Sequence, residues 1–253
     1  MTKPLAVIKL GGGMVDGLVG FWPALLDLLL GCEVVLVHGG GPQATDLSRR
    51  LGHEPRIVHG RRVTGDVDLD IVTWTMRGAV NLSLSAQAYR HGIKAAGLSG
   101  ADGGVLRVSR RPPWNVDGEE VDFGWVGDVE GVHPELLRVL IAQGVLPIVA
   151  PIGIDGEGQV YNVNADTVAV AIAREMGAAE MLFVTDSGGL RDAAGAPIAE
   201  CNRSLFGSGL EEGWIQGGMR VKIQLALEAL DAGVAEVRVC GADDLRGGTV
   251  VRA

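Results

Sequence analysis

The chain has 253 residues and a mass of 26.4 kDa, enough for one large α/β domain or two closely packed lobes and too short for three independent domains. Hydrophobic residues at 47% and charged residues at 21% exclude disorder for the bulk of it, and a net charge of -9 disfavours nucleic acid as the main partner, because phosphate binding needs a surplus of cations. Cys32, Cys201 and Cys240 are odd in number and far apart, with neither a disulfide framework nor zinc spacing, so a reduced, cytoplasmic chain without a resident metal is expected.

In chain order, residues 1–4 carry no secretory signature, and the apolar run 5–9 reads as a buried strand ending in the triplet Gly11, Gly12, Gly13. Residues 18–30 are apolar but contain Pro23 and Asp27 and fall short of the ~20 residues of a membrane span; they predict a buried helix and no membrane association. A second strand, 33–37, runs through His38 into Gly39, Gly40 and Gly41. Helical periodicity follows over 67–91, then a strand at 94–98. Residues 109–122, with Arg110, Arg111, Pro112, Pro113 and several acids, predict a surface hairpin or flap. Helices over 134–143, 165–176 and 220–232 alternate with strands at 146–150, 181–185 and 236–240; in the last helix Ile223, Leu227 and Leu230 share one face. Together these elements imply a three-layer α/β/α sandwich.

Two strands that end in glycine triplets at one sheet edge suit either tight turns or anion binding, since glycine lets backbone N–H groups converge on a ligand. Lys9 favours the anion, because a lysine closing an apolar strand is expensive to bury unless it faces an anion or an acid. Gly39, Gly41 and Ala44 also fit a loose dinucleotide pattern, but residues 58–62 lack the acid that would hold a ribose, and no Walker sequence is present. His53, His59, His91 and His133 read as structural or solvated, His38 as bonded within the fold, and Arg61 as a surface charge. The tryptophans read as packing residues, with Trp214 placed to touch adenine.

Seven segments in order then resemble the amino-acid kinase family, and within it the N-acetylglutamate kinases: Lys9-Leu10-Gly11-Gly12; Val37-His38-Gly39-Gly40-Gly41-Pro42; Gly60-Arg61-Arg62-Val63-Thr64; Gly97-Leu98-Ser99-Gly100; Tyr161-Asn162-Val163-Asn164-Ala165-Asp166; Thr185-Asp186-Ser187-Gly188-Gly189-Leu190; and Gly217-Gly218-Met219-Arg220-Val221-Lys222. The resemblance implies a mainly parallel sheet of about eight strands, with residues 1–177 forming a lobe for the acyl amino acid and for dimerisation and residues 178–253 a lobe for ATP. It implies ATP-dependent phosphorylation of the side-chain carboxylate of N-acetyl-L-glutamate in arginine biosynthesis, with Mg²⁺ carried by the nucleotide. Lys9, Lys222 and Asp166 stand at its catalytic positions; Gly40, Gly41, Arg62, Asn162 and Asn164 at substrate positions; and Gly11, Gly12, Asp186, Ser187, Gly188, Gly189, Leu190, Arg191, Ile215, Gln216 and Gly218 at nucleotide positions. Such chemistry needs no catalytic histidine, since a carboxylate with a pKa of about 4.3 is already an ionised nucleophile.

Two other readings stand beside this one: a kinase for aminoadipate or glutamate carried on a small acidic protein, which a chain at -9 would repel, and a non-catalytic binding regulator on the same fold. Retention of both lysines and Asp166 argues against the regulator. Arginine-inhibited hexamers of the family carry an extra amino-terminal helix, and residues 1–4 are too few for one, so a homodimer built through residues 67–91 is expected. Ile71, Trp74, Val80 and Leu84 there exceed what one buried face needs.

Overall fold

Runs of Val, Ile and Leu become strands covered on both faces, as parallel strands flanked by helices must be. The computed structural model describes residues 3–15 and 17–253, and Met1 and Thr2, invoked above for assembly, lie outside the described residues. Strands β1 (Leu5–Leu10), β2 (Glu33–His38), β3 (Ala95–Ser99), β4 (Leu146–Ala150), β5 (Glu180–Val184), β6 (Glu200–Cys201), β7 (Glu236–Cys240) and β8 (Thr249–Val251) form one sheet, ordered β6-β8-β7-β5-β1-β2-β4-β3. Neighbours are parallel except the β7–β8 pair. The six longer strands match the apolar runs to within one residue. β6 and β8 span two and three residues, too few for a periodic pattern.

Helices α1 (Phe21–Gly31) and α4 (Asn81–Arg90) cover one face, and α5 (Glu135–Ala142), α6 (Ala165–Met176) and α8 (Gly217–Asp231) the other; α2 (Gly41–Arg50), α3 (Asp66–Thr73) and α7 (Arg203–Glu211) complete the set. Alternation along β1 sorts its side chains between the two cores: Leu5 and Val7 join Ile172 and Ile223, whereas Ala6, Ile8 and Leu10 join Phe21, Leu25 and Leu84. Lys9 has the parity of Val7 and therefore emerges on the α6 side.

Two expectations change. Helix α1 is not buried all round: Phe21, Trp22, Leu25 and Leu28 face the core, while Leu26 and Leu30 are 39% and 77% exposed. The helix expected over 67–91 is a continuous path in three pieces, α3, a π-helical segment Trp74–Val80, and α4. The wider π turn breaks the 3.6-residue period, so a single helical wheel misplaces its faces. Ile71, Val80 and Leu84 are core residues, and of the four proposed for dimerisation only Trp74 is exposed.

A four-stranded sheet (Val160–Asn162, Ile152–Ile154, Leu106–Arg110, Gly127–Val132) stands beside the main one and carries two hairpins, Ile57–Val58 with Arg61–Arg62 and Trp114–Val116 with Glu119–Val121. The second is the expected flap. Both hairpins share a small core of Val121, Phe123 and Val126 with Val58, Val63 and Trp114, and His59 Nε2 meets Asp117 Oδ2 at 2.7 Å between their tips.

His38 ends β2, fully buried, with Nδ1 2.8 Å from the Gly39 carbonyl and Nε2 3.0 Å from Asn81 Nδ2. An amide nitrogen only donates, so Nε2 accepts and Nδ1 carries the proton. Asn81 also donates to the Ile148 carbonyl at 2.9 Å, and it fits because Gly97 lacks a Cβ that would overlap its carboxamide. Burial pushes the His38 pKa down to about 4 from its ordinary 6.5. Between those values the unfolded chain holds a proton that the folded chain does not, so stability is present above pH 6.5 and lost as pH falls towards 4. Urea unfolding should show this group costing about 2 kcal/mol between pH 7 and pH 5. A His38→Gln variant should lack that part of the slope, and identical pH dependence in the two proteins would contradict the assignment.

Candidate active site

The two glycine loops close on each other at the carboxyl ends of β1 and β2. A Cβ on Gly12 would lie 2.7 Å from the Gly40 nitrogen, and one on Gly39 would lie 3.0 Å from the Gly12 nitrogen. Gln43 Nε2 donates to the Gly12 carbonyl at 2.8 Å and ties the first loop to α2. Gly40 is the N-cap of α2, whose first N–H groups have no acceptor within the helix, so the loop at Gly40 and Gly41 offers donors to an anion.

Beside it lies a cleft of about 240 Å³ lined by Lys9, Gly12, Gly41, Arg62, Asn162, Asn164 and Asp166 among others, which brings together residues from four of the seven segments set out above. Lys9 Nζ and Asp166 Oδ1 are 2.9 Å apart, with side chains 7% and 12% exposed. Asp166 lies in the first turn of α6, where the helix dipole favours a carboxylate. Asn164 caps that helix, its Oδ1 accepting from Thr167 N at 3.0 Å, and Asn162 Nδ2 donates to Thr64 Oγ1 at 3.1 Å. Arg62 is held from two sides: Nη2 donates to Thr45 Oγ1 at 2.7 Å and Nη1 lies 3.4 Å from Asp68 Oδ1.

Lys222, in the second turn of α8, reaches towards the same place. Its amine is held below its ordinary pKa chiefly by burial, with Asp166 and Asp186 opposing and Lys9 reinforcing the shift. Its Nζ lies 3.5 Å from the Gly218 carbonyl, and a Cβ on Gly13 would lie 3.6 Å from Asp186 Oδ2, so the first glycine loop abuts the second half of the chain. A second cleft of about 250 Å³ contains Ser187, Gly188, Gly189, Leu190 and Arg191 with Gly248 and Thr249. Gly11 instead donates its N–H to the Val184 carbonyl, and Leu190 and Ile215 turn their side chains into the core, so only their backbone is available to a ligand. Gln216 caps α8, which starts at Gly217, three residues earlier than periodicity suggested. Trp214 Nε1 donates to Glu212 at 3.1 Å.

Two cleft residues went unrecognised in the sequence. Arg61, expected on the surface, lines the cleft and lies 4.8 Å from the Trp114 ring; Arg111, its side chain 7% exposed, lies 4.3 Å from the same ring and is held by Asp128. Burial, then the neighbouring Arg111 charge, lower the Arg61 pKa. Two hairpins 50 residues apart in sequence bring these groups together, and no local pattern announces the meeting. His53 and His59 each meet one carboxylate, Asp68 and Asp117, and among the described residues no group of three or more His, Cys, Asp or Glu could hold a metal ion.

A buried lysine paired with an acid, with a second, partly buried lysine beside it, facing nested backbone donors at a sheet edge, forms a site for moving an anionic group. The model of the amino acid kinase family matches residues 4–241, and the chain belongs to that family. It is similar to the acetylglutamate kinase of Methanopyrus kandleri, 42% identical over 98% of this chain and 100% of that protein, and to that of Bacteroides fragilis, 38% identical over 100% and 98%. Among solved structures, smu.665 from Streptococcus mutans superposes with a TM-score of 0.85 at 25% identity, covering 98% of each chain. N-acetylglutamate synthase from Neisseria gonorrhoeae, complexed with coenzyme A and N-acetyl-glutamate, superposes at 0.83 over 60% of its own length; at 22% identity this is a likeness of fold.

The nested loops carry a test. Gly12→Ala drives a Cβ into backbone that cannot step aside, and should cost about 1–3 kcal/mol in urea unfolding together with most of the activity. Gly31→Ala, with open space around its Cβ, is the control and should change stability by less than about 0.5 kcal/mol.

Proposed function

We propose that the chain transfers the γ-phosphoryl group of ATP to the side-chain carboxylate of N-acetyl-L-glutamate, forming the acyl phosphate. It is a phosphotransferase with a carboxyl group as acceptor, acting in amino-acid biosynthesis, and specifically in arginine biosynthesis in the cytoplasm. The observation that carries the reading is the convergence of Lys9, Asp166 and Lys222 on the glycine loops, in a family member whose relatives at 37–42% identity over nearly the whole chain are acetylglutamate kinases.

The reacting carboxylate is already ionised, so no base is required; its oxygen attacks the γ-phosphorus, the bond to the β-phosphate oxygen breaks, and ADP leaves with the electron pair. The obstacle is repulsion between anions. Lys9 and the N–H groups of Gly40 and Gly41 offset charge on the attacking side, and Lys222 on the leaving side. Asp166 holds Lys9 in place and keeps the two lysine charges from repelling each other apart. Arg62, Asn162 and Asn164 bind the non-reacting end of the substrate. The nucleotide lies along Gly11, Gly12, the segment from Asp186 to Arg191, and Ile215, Gln216 and Gly218, with residues 1–177 serving the acyl amino acid and 178–253 the nucleotide. Mg²⁺ arrives on ATP and supplies positive charge across its phosphates.

A hydroxamate assay of ATP-dependent acyl-phosphate formation tests the function: product should form with N-acetylglutamate and not with glutamate, aspartate or carbamate. Lys222→Ala should lower kcat about 10²–10³-fold with a smaller change in KM, and near-normal turnover would remove its role. Lys9→Ala should lose as much and should also lose about 3–5 kcal/mol of stability, because Asp166 is left buried without its partner.

The assembly is a homodimer through the helical path from α3 to α4. Val67, Trp74, Leu82 and Tyr89 are 55–83% exposed and recur at intervals of seven, eight and seven residues, an apolar stripe suited to a second copy of this chain. Light scattering should give twice the chain mass, and Trp74→Glu with Leu82→Glu should halve it; a wild-type monomer would refute the assembly.

A further inference from the structure

The peptide between Gly39 and Gly40 is gripped at its carbonyl from inside the fold, and that grip decides what its other edge presents. Asn81 Nδ2 lies 2.9 Å from the Ile148 carbonyl, 3.4 Å from the Leu98 carbonyl and 3.0 Å from His38 Nε2. An atom set among carbonyl oxygens must be the amide nitrogen, so Nε2 accepts from it and the ring proton sits on Nδ1, 2.8 Å from the Gly39 carbonyl. Asn81 Oδ1 is buried with no partner among the described residues, so the carboxamide is placed for its NH₂ end alone. No cis peptide bond occurs among the described residues, and across a trans peptide the C=O and N–H point in opposite directions. With the Gly39 carbonyl drawn to the buried ring, the Gly40 N–H is turned away from it, and a Cβ on Gly12, which lines the cleft, would lie 2.7 Å from the Gly40 nitrogen. That N–H has no acceptor among the described residues, and Pro42 in the first turn of α2 has no N–H to offer in its stead. Three consecutive glycines do not themselves orient this peptide; inverted, it would set a carbonyl oxygen against an incoming anion.

We infer that His38 and Asn81 are positioning residues for the phosphoryl transfer: Asn81 fixes the His38 tautomer, and His38 Nδ1–H fixes the Gly39–Gly40 peptide with its N–H turned towards the reacting anion. The inference rests on the reading above, in which that N–H offsets charge on the attacking side. Neither residue touches the substrate. Their effect falls on kcat, because a donor oriented before charge shifts need not reorganise during the reaction, whereas the groups that bind the rest of both substrates are unaltered. The glycines give the loop its close approach to the ligand, and the column beneath gives it a direction.

Two substitutions separate the anchor from the packing. His38→Asn puts an amide nitrogen where Nδ1 lies and keeps the bond to Gly39; His38→Gln puts its amide where Nε2 lies, keeps the bond to Asn81 and leaves the Gly39 carbonyl unheld. Both remove the buried ring, so a merely structural role predicts similar losses. His38→Gln should lower kcat about 10–100-fold, less than deletion of a donor, with KM for ATP and for acetylglutamate within about 3-fold, and His38→Asn should recover most of that loss. Equal kcat in the two variants, or normal kcat in His38→Gln, would overturn the inference. ¹⁵N NMR of histidine-labelled protein at neutral pH, with the His38 signals identified by their loss in His38→Gln, reads the tautomer without turnover. Wild type should show Nδ1 protonated and Nε2 bare, and Asn81→Ala should admit the Nε2-protonated form and lower kcat as well. A proton on Nε2 in wild type would overturn the inference, and an Asn81→Ala protein with unchanged tautomer and kcat would overturn the part given to Asn81. If wild type makes no acyl phosphate from acetylglutamate, the functional reading fails, and the spectra still judge the anchor.

Discussion

The ion pair between Lys9 on β1 and Asp166 in the first turn of α6, 2.9 Å long and almost wholly shielded from water, is the contact on which the site is built. Burying either charge alone would be prohibitive, so each obliges the other's presence, and β1 and α6 are locked in one register by it. Three independent features deliver it. Strand alternation sends Lys9 to the α6 side, the Asn164 cap fixes where α6 begins, and the helix dipole steadies the carboxylate. Lys222 then approaches an acid already occupied, so that two lysines, balanced by Asp166 and Asp186, gather beside the glycine loops.

Those loops depend on a polar column below them. Neutral His38 bonds the Gly39 carbonyl on one side and Asn81 on the other, Asn81 reaches the Ile148 carbonyl, and Gly97 makes the space. Hydrogen bonds buried in this way are unforgiving, because each donor or acceptor left unmade incurs its full desolvation cost. The column crosses β2, β4 and β3, so the loops rest on the sheet rather than on their own weak turn preferences. The π-helical segment lies on the same route: Met76 within it packs against Gly40, and Asn81 follows directly after it.

Charge is distributed unevenly over this acidic chain. A net -9 coexists with a cleft lined by lysine and three arginines, which concentrates positive potential where an anionic substrate must enter. The hairpins that carry Arg61, Arg111 and Trp114 have their own small apolar core and a contact between their tips, so each is braced by the other.

Six of the eight strands, α6 to the residue, and the triplets at the sheet edge were legible in the amino-acid sequence, because fully buried strands and a capped amphipathic helix need continuous local patterns. Lys9 could be singled out there too, as a charge in a place where charge is costly, whereas Asp166 stood out only through the family resemblance of residues 161–166. The strands of two and three residues, the π segment that spoils one helical period, and the pairing of Arg61 with Trp114 and Arg111 were not. They arise from contacts between segments tens of residues apart, and a side chain's neighbours across such distances have no local signature. For the same reason Ile71, Val80 and Leu84 read as surplus on a helical wheel yet fill the core, and Arg61 read as a solvated charge. What the sequence by itself determined is which residues can be buried and where strands must turn; which buried charges meet only the tertiary structure decided, because charge balance belongs to a place and not to a segment.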